Sequence, residues 1–296
     1  MKTKWTGTYT ALVTPFTRDN KIDEAAFEKL IKAQIKGGVD GVVPVGTTGE
    51  SPTLDMEEHI RVIRLAVELS AGKLKVMAGV GANSTDEAIE LTQAADEAGA
   101  DGLLHVAPYY NKPSQDGLFH HFHAVARITR LPIILYSIPS RCGVEIGVDT
   151  IDRLAHDSVN IVGIKEAGGT PDRVSEIRNR MGKNFYILCG DDALTLPFMS
   201  VGAHGVVSVA SNIIPKEINH MVRAFEMGKA DVALKLHAKY YEFFKTLFIE
   251  TNPVPAKAAL TLRGEMRDGV RLPLVSISTS NRKKLEKVMR TAGILK

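Results

Sequence analysis

Short unbroken apolar runs alternate along this chain with longer stretches in which apolar residues return every three or four positions, and glycine, proline and small polar residues punctuate the joins. The first pattern is that of strands buried on both faces, and the second that of helices with one buried stripe. Thr8 to Phe16 reads as a strand-like run ended by proline, and Asp23 then opens a helix with Phe27, Leu30, Ile31 and Ile35 on one face until Gly37 and Gly38 stop it. Gly41 to Val45 reads as a second strand, although Pro44 has no N–H to give to a ladder. Gly46-Thr47-Thr48-Gly49-Glu50-Ser51 follows, then a helix over Asp55 to Leu69, a strand over Lys75 to Val80 and a turn at Gly81-Ala82-Asn83-Ser84. Ser84 caps the next helix, which reaches Ala98, with Glu87 in the place of the reciprocal partner in a capping box.

The alternation continues through a strand over Gly102 to Ala107, a loop over Pro108 to Pro113, a helix over Ser114 to Ile128 and a strand over Leu131 to Tyr136. A loop from Ser137 to Gly143 leads to a short helix over Asp149 to Ala155 and to the strand that ends at Lys165. A helix over Asp172 to Met181, a strand over Phe185 to Cys189, the turn Gly190-Asp191-Asp192, a short helix, a strand over Gly205 to Ala210 and a helix from Pro215 to Met227 complete the series. Eight strands, each followed by a helix at about thirty residues per unit, are the pattern of an eight-fold α/β barrel. A doubly wound sheet is the structural alternative, but no G-x-G-x-x-G opens the first helix and no P-loop is present. The expected fold is therefore a (β/α)8 TIM barrel over residues 1–228 with additional C-terminal helices over 229–296 packed outside it. Those helices are expected at Ala230 to Ile249, Val254 to Arg263 and Asn281 to Ala292, with Arg267 to Ile277 irregular.

Composition narrows the function classes. Of 296 residues 44% are hydrophobic, enough for one large core. Lys and Arg number 37 against 34 Asp and Glu, interspersed, which points to neither nucleic acid nor an anionic membrane surface and leaves a small anionic metabolite open. Met1 to Gly7 lacks the apolar segment of a leader, and no stretch approaches the roughly 20 apolar residues of a membrane span. Cys142 and Cys189 are too few and too far apart for a disulfide framework or a zinc site. A cytoplasmic location is expected.

The candidate chemistry centres on Ile161-Val162-Gly163-Ile164-Lys165, where a lysine ends an apolar run. Apolar surroundings disfavour the ammonium form and yield a nucleophilic amine, the property of a Schiff-base lysine. Barrel active sites lie at the carboxyl ends of the strands, and Thr47, Thr48, Tyr109, Tyr110, Tyr136 and Arg141 all fall there with Lys165. Taken singly each has a plain structural reading: a helix cap for the Gly46 to Gly49 turn, a packing pair for Tyr109-Tyr110, a core phenol for Tyr136, an exposed loop residue for Arg141 and a solvated strand end for Lys165. Taken together they describe imine chemistry on a keto acid. Tyr136, Thr48 and Tyr110 could pass the protons that expel water, the Gly46 to Gly49 backbone and Thr47 could hold a carboxylate, and Arg141 could pair with a second one.

Gly46-Thr47-Thr48-Gly49-Glu50, Pro108-Tyr109-Tyr110-Asn111, Tyr136 with Pro139-Ser140-Arg141, Gly163-Ile164-Lys165-Glu166-Ala167, Gly190-Asp191-Asp192 and Asn252-Pro253-Val254-Pro255 together resemble the 4-hydroxy-tetrahydrodipicolinate (dihydrodipicolinate) synthase family, in order from Gly7 to Leu295. The lysine and the G-T-T-G-E loop are shared with N-acetylneuraminate lyase and keto-deoxy-sugar aldolases, whereas Arg141, the tyrosine pair and Asn-Pro-x-Pro are more discriminating. The resemblance implies condensation of pyruvate with L-aspartate 4-semialdehyde, in diaminopimelate and lysine biosynthesis. It implies Lys165 as imine former, Tyr136, Thr48 and Tyr110 as proton relay with Tyr110 supplied by a neighbouring subunit, and no metal or organic cofactor. Thr47 and Thr48 would hold the pyruvate carboxylate and Arg141 that of the semialdehyde, with Val207, Gly190 and Asn252 also in the substrate site. The family is usually a homotetramer, a dimer of dimers, and its site for feedback by L-lysine maps onto Ser51, His59, Asn83, Glu87 and Tyr109.

Met56 stands where lysine-sensitive members often carry a polar residue, and Ser137, Cys142 and Val80 depart from the family's usual Asn, Thr and Thr. The last three bear on the aldehyde partner more than on pyruvate. A pyruvate-dependent lyase for a sugar acid or another keto acid and a non-catalytic barrel sensing a keto or amino acid are the competing expectations.

Overall fold

The computed structural model describes residues 4–295; the part of the leader reading that falls on Met1 to Thr3 lies outside them. Along the chain the elements are β1 (Gly7–Ala11), α1 (Glu24–Gly37), β2 (Gly41–Val43), α2 (Met56–Ser70), β3 (Lys75–Gly79), α3 (Thr85–Glu97), β4 (Gly102–Val106), α4 (Gln115–Ala126), β5 (Ile133–Ser137), α5 (Pro139–Cys142) and α6 (Val148–Asp157). They continue with β6 (Ile161–Glu166), α7 (Pro171–Met181), β7 (Tyr186–Cys189), α8 (Thr195–Ser200), β8 (Gly205–Ser208), α9 (Pro215–Glu226), α10 (Ala230–Thr246), α11 (Val254–Leu262) and α12 (Thr279–Thr291). The eight strands pair in sequence order into a closed parallel barrel, β8 returning to β1. This is the expected (β/α)8 barrel with C-terminal helices.

Local chemistry sets the boundaries. Asp23, Asp55, Ser84, Ser114 and Thr170 cap their helices by accepting from a backbone N–H inside the first turn, and Gly38, at φ 73°, closes α1 in the left-handed region that its missing side chain permits. The full capping box is at Asp55 and Glu58. At Ser84 the expected box is only half made: the serine accepts from the Glu87 N–H, and among the described residues Glu87 sends nothing back.

Successive residues of each strand point to opposite sides, so the barrel has two cores. Tyr9, Ala11, Val43, Met77, Leu104, Ile134, Tyr136, Leu188 and Val207 form the interior cluster. Their strand neighbours Val42, Val76, Leu103, Leu135, Ile164, Ile187 and Val206 pack outward among the helices. This outer cluster runs without a break from Leu12 and Phe27 into Phe243, Leu260 and Leu285, so the C-terminal helices share the barrel's outer core.

Three strands end two or more residues before the expected point, each for a visible reason. β1 stops at Ala11 because beyond it the Val13 N–H bonds the Asn212 side chain, 3.2 Å away, rather than a neighbouring strand. β2 stops at Val43, before Pro44, and Val45 turns the chain at φ 49°. β8 stops at Ser208 because the Val209 and Ala210 N–H groups both donate to the Asp192 carboxylate, at 3.0 Å each. The Ser137 to Gly143 loop also contains an unexpected turn of helix, α5, begun by Pro139. Residues 267–277 are irregular, as expected.

Candidate active site

The alternation that sends Ile164 outward turns Lys165 inward at the last turn of the barrel wall. It pairs in register with Tyr136 on β5 and Leu188 on β7, and is 7% exposed. Its Nζ lies 4.0 Å from the centroid of the Tyr136 ring. Burial removes water from the ammonium and lowers the lysine pKa to about 7; the nearby charge of Arg141 acts in the same direction, while Cys189 and Asp192 oppose it. Space for this side chain is kept by a glycine: a Cβ at Gly190 would come within 2.7 Å of the Ala167 Cβ and 3.1 Å of the Lys165 Cε.

Tyr136 is 5% exposed, and burial pushes its phenol well above the ordinary range, partly offset by Arg141 and by a hydrogen bond with the Thr47 side chain. A phenol held neutral beside a partly neutral amine has the protonation state needed to donate and take back a proton. Thr47 and Thr48 open the turn after β2, which comes close to β3 because Gly79 has no side chain; a Cβ there would sit 2.7 Å from the Val45 carbonyl. Thr48 is 4% exposed and its hydroxyl accepts from the Asn252 side-chain amide at 3.0 Å. Asn252 reaches in from the segment before α11, and its carbonyl accepts from Arg141 Nη2 at 3.4 Å. Its side-chain oxygen is buried without a partner among the described residues.

A cavity of about 190 Å³ opens beside this group, lined by Thr47, Gly79, Leu104, Tyr109, Tyr136 and Arg141 among others. A larger crevice of about 910 Å³ lies at the opposite end of the barrel, around Arg130, Asn160 and Lys183, and none of the candidate residues lines it. The structure thus gathers Lys165, Tyr136, Thr47, Thr48, Arg141, Gly190 and Asn252 at the carboxyl ends of the strands. Val207 joins them from the barrel interior, 1% exposed in the cluster that contains Tyr136. Tyr110 stands apart: it is 89% exposed, at φ 73°, and does not line the cavity.

The five residues mapped to the feedback site fall along one flank. Ser51 and Tyr109 line the cavity, and the Asn83 side chain donates to the Tyr109 carbonyl at 3.2 Å. Glu87 is close enough to Tyr109 that its charge adds to the burial that raises that phenol's pKa. His59 is 5% exposed, its Nε2 lies 2.8 Å from the Gly79 carbonyl, and burial lowers its pKa.

Sequence reading missed the charged groups behind the site. Glu166, next to the lysine, is fully buried against Arg173, whose guanidinium also donates to the Ile146 carbonyl at 2.5 Å and fixes the loop after α5. Burial raises the Asp192 carboxyl to about 6, opposed by bonds from Ser208, Ala210 and Val209. Lys257 and Glu50 form an ion pair between side chains 0% and 1% exposed. Lys257 lies within the apolar helical run Val254–Leu262, and the only signal for it was that it is the one charge in that run.

The model of the dihydrodipicolinate synthetase family matches residues 4–292. The chain is 50% identical to the 4-hydroxy-tetrahydrodipicolinate synthase of Sulfurihydrogenibium sp., over 98% of this chain and 99% of that protein. The structure of the same-named protein from Methylacidiphilum fumariolicum superposes with a TM-score of 0.97 at 53% identity, covering 98% of this chain and 96% of that one. A dihydrodipicolinate synthase from Cyanidioschyzon merolae, solved with lysine bound, gives a TM-score of 0.95 at 42% identity over 98% and 99% of the two chains.

Proposed function

The chain belongs to the dihydrodipicolinate synthetase family, and from that premise we propose how its residues divide the work. It is a lyase of the Schiff-base aldolase type that condenses pyruvate with L-aspartate 4-semialdehyde, in diaminopimelate and lysine biosynthesis. The observation that carries the residue assignment is the buried Lys165, brought to a pKa of about 7 beneath the ring of Tyr136 at the mouth of the barrel.

In this reading the neutral Lys165 amine attacks the ketone carbon of pyruvate, and the carbinolamine loses its hydroxyl as water with a proton from Tyr136. The protonated imine draws electrons from the methyl group, whose C–H proton passes to the Tyr136 phenolate; the resulting enamine carbon bonds to the aldehyde carbon of the second substrate, Tyr136 returns the proton to the aldehyde oxygen, and the second substrate's amino group displaces Lys165 from the imine as the ring closes. The imine is the electron sink, so the reaction needs neither metal nor organic cofactor. Thr47 and Thr48 hold the pyruvate carboxylate, with Asn252 fixing the Thr48 hydroxyl. Arg141 pairs with the semialdehyde carboxylate, Val207 walls the methyl side, and Gly190 keeps room for the lysine.

Tyr110, solvent-exposed in the single chain, enters the relay of a neighbouring subunit in a homotetramer built from two dimers. L-Lysine binds at Ser51, His59, Asn83, Glu87 and Tyr109; the Glu87 carboxylate, without a partner among the described residues, suits its ammonium ends, whereas the buried His59 serves through its contact to Gly79. Residues 1–228 form the catalytic barrel and 229–296 an extension that supplies Asn252 to the site. Among the described residues no helix is long and apolar enough to cross a membrane, and we place the enzyme in the cytoplasm with both cysteines reduced.

The test is incubation with pyruvate and borohydride followed by peptide mass spectrometry. A reduced pyruvyl adduct on Lys165 is expected, and its appearance on another lysine would overturn the assignment. Turnover with added L-aspartate 4-semialdehyde, measured with and without L-lysine, tests the second substrate and the feedback site.

A further inference from the structure

Glu50 is the residue at which the pyruvate-holding turn ends, and it adopts φ 58°, a conformation that an ordinary side chain takes only when its surroundings hold it there. Its carboxylate is fully engaged by two segments more than 200 residues further along the chain. One oxygen accepts from Lys257 Nζ on α11, and the other from the Arg271 N–H at 2.9 Å. Lys257 is held in turn: Nζ donates to the Gly269 carbonyl at 2.8 Å and lies 4.1 Å from the centre of the Phe16 ring. The Arg271 guanidinium donates to the Thr53 carbonyl at 2.7 Å and to Glu58 of α2 at 2.6 Å, so the chain is fastened again just after Glu50. On its other flank the Thr14 hydroxyl donates to the Gly49 carbonyl at 2.7 Å.

A buried ion pair is a poor device for stability, because desolvating two charges offsets most of their attraction, and apolar replacements of the pair are often neutral or better. It is a good device for geometry: two charges with satisfied hydrogen bonds tolerate few alternative arrangements. Residues 47 and 48, two or three positions before Glu50, carry the hydroxyls assigned to the pyruvate carboxylate. Lys257 sits on the same helix that follows Asn252, the residue bonded to the Thr48 hydroxyl.

We propose that Glu50 and Lys257, with the backbone of Arg271, are positioning residues for pyruvate: they lock the Thr47–Thr48 turn in register with Asn252 and so make the C-terminal helical extension part of the substrate site. The proposal rests on the assignment of the pyruvate carboxylate to Thr47 and Thr48.

The experiment compares the wild type with Lys257→Met, Glu50→Gln, the double variant carrying both, and Thr47→Ala. Each is titrated with pyruvate for borohydride-trapped adduct, and KM and kcat are measured for both substrates below the unfolding midpoint. Loosening of the turn by about 1 Å predicts a half-saturating pyruvate concentration roughly ten- to a hundredfold higher in Lys257→Met, with a smaller change in the semialdehyde KM. The double variant leaves no charge unpaired, regains thermal stability relative to Lys257→Met and keeps the raised pyruvate KM. A purely structural role would instead lower kcat in proportion to the folded fraction and leave both KM values at wild type, a result that overturns the proposal, as does a double variant with wild-type pyruvate KM. If Thr47→Ala also leaves the pyruvate KM unchanged, the carboxylate assignment itself falls; if Thr47→Ala raises it and the Glu50 and Lys257 variants do not, only the positioning role falls.

Discussion

The pKa of Lys165 sets a pH profile that an ordinary lysine cannot give. At pH 7 a group with pKa about 7 is about half neutral, whereas one with the usual value of 10.5 has roughly one molecule in 3,000 in the amine form. Below pH 6 the rate of borohydride-trapped imine formation on Lys165 should therefore fall about tenfold per pH unit, and above pH 8 it should level off. The assay is the single-turnover trapping rate at saturating pyruvate from pH 5.5 to 10, read by mass spectrometry on the Lys165 peptide. A rate that keeps rising tenfold per unit through pH 9 would show that burial does not depress this pKa and would refute the reasoning.

The same shift makes a stability statement of definite sign. The folded-state pKa lies below the unfolded one, so between about pH 7 and 10.5 the unfolded chain holds the extra proton and gains stability from it relative to the fold. The cost of burying the ammonium is fully present below pH 7 and vanishes as pH rises to 10.5. The shift from 10.5 to about 7 corresponds to about 5 kcal/mol at most. Lys165→Met, inactive, should thus have a higher Tm than the wild type at pH 6, and the gap should close by pH 10. Equal Tm values at pH 6 would count against the depressed pKa independently of any kinetics.

Other outcomes follow from single contacts. Arg141→Ala should raise the semialdehyde KM about ten- to a hundredfold, the worth of a charge-assisted hydrogen bond, and leave adduct formation with pyruvate intact; equal loss of adduct would contradict the division between the two carboxylates. Gly190→Ala places a methyl 3.1 Å from the Lys165 Cε, so its adduct formation should slow about tenfold or more while the fold persists, as circular dichroism would verify. Glu87→Ala should weaken binding of L-lysine, measured calorimetrically, with little effect on turnover in its absence; unchanged affinity would remove Glu87 from the feedback site.

The barrel was readable because its evidence is repetitive: eight apolar runs, each followed by a stripe of helical period, leave few topologies open. Strand ends were less readable. β8 stops at Ser208 because Asp192 takes the next two N–H groups, and that carboxylate belongs to a different strand's loop. α5 hid inside a segment of four residues, too short for any periodicity to register.

The alternation of apolar runs with helical stripes was carried by the sequence, as was the placing of Thr47, Thr48, Tyr136, Arg141 and Lys165 at or just beyond the carboxyl ends of those runs. Those features are local, written in spacing and residue type. Tertiary structure alone decided that Lys165 is desolvated, that Tyr136 lies over it, and that Asn252 reaches back to Thr48 across 204 residues. It also decided that Lys257, the one charge in an apolar helical run, is the buried partner of Glu50. The physical reason is that desolvation and charge pairing depend on which surfaces meet in space, and the chain records only which surfaces each residue offers.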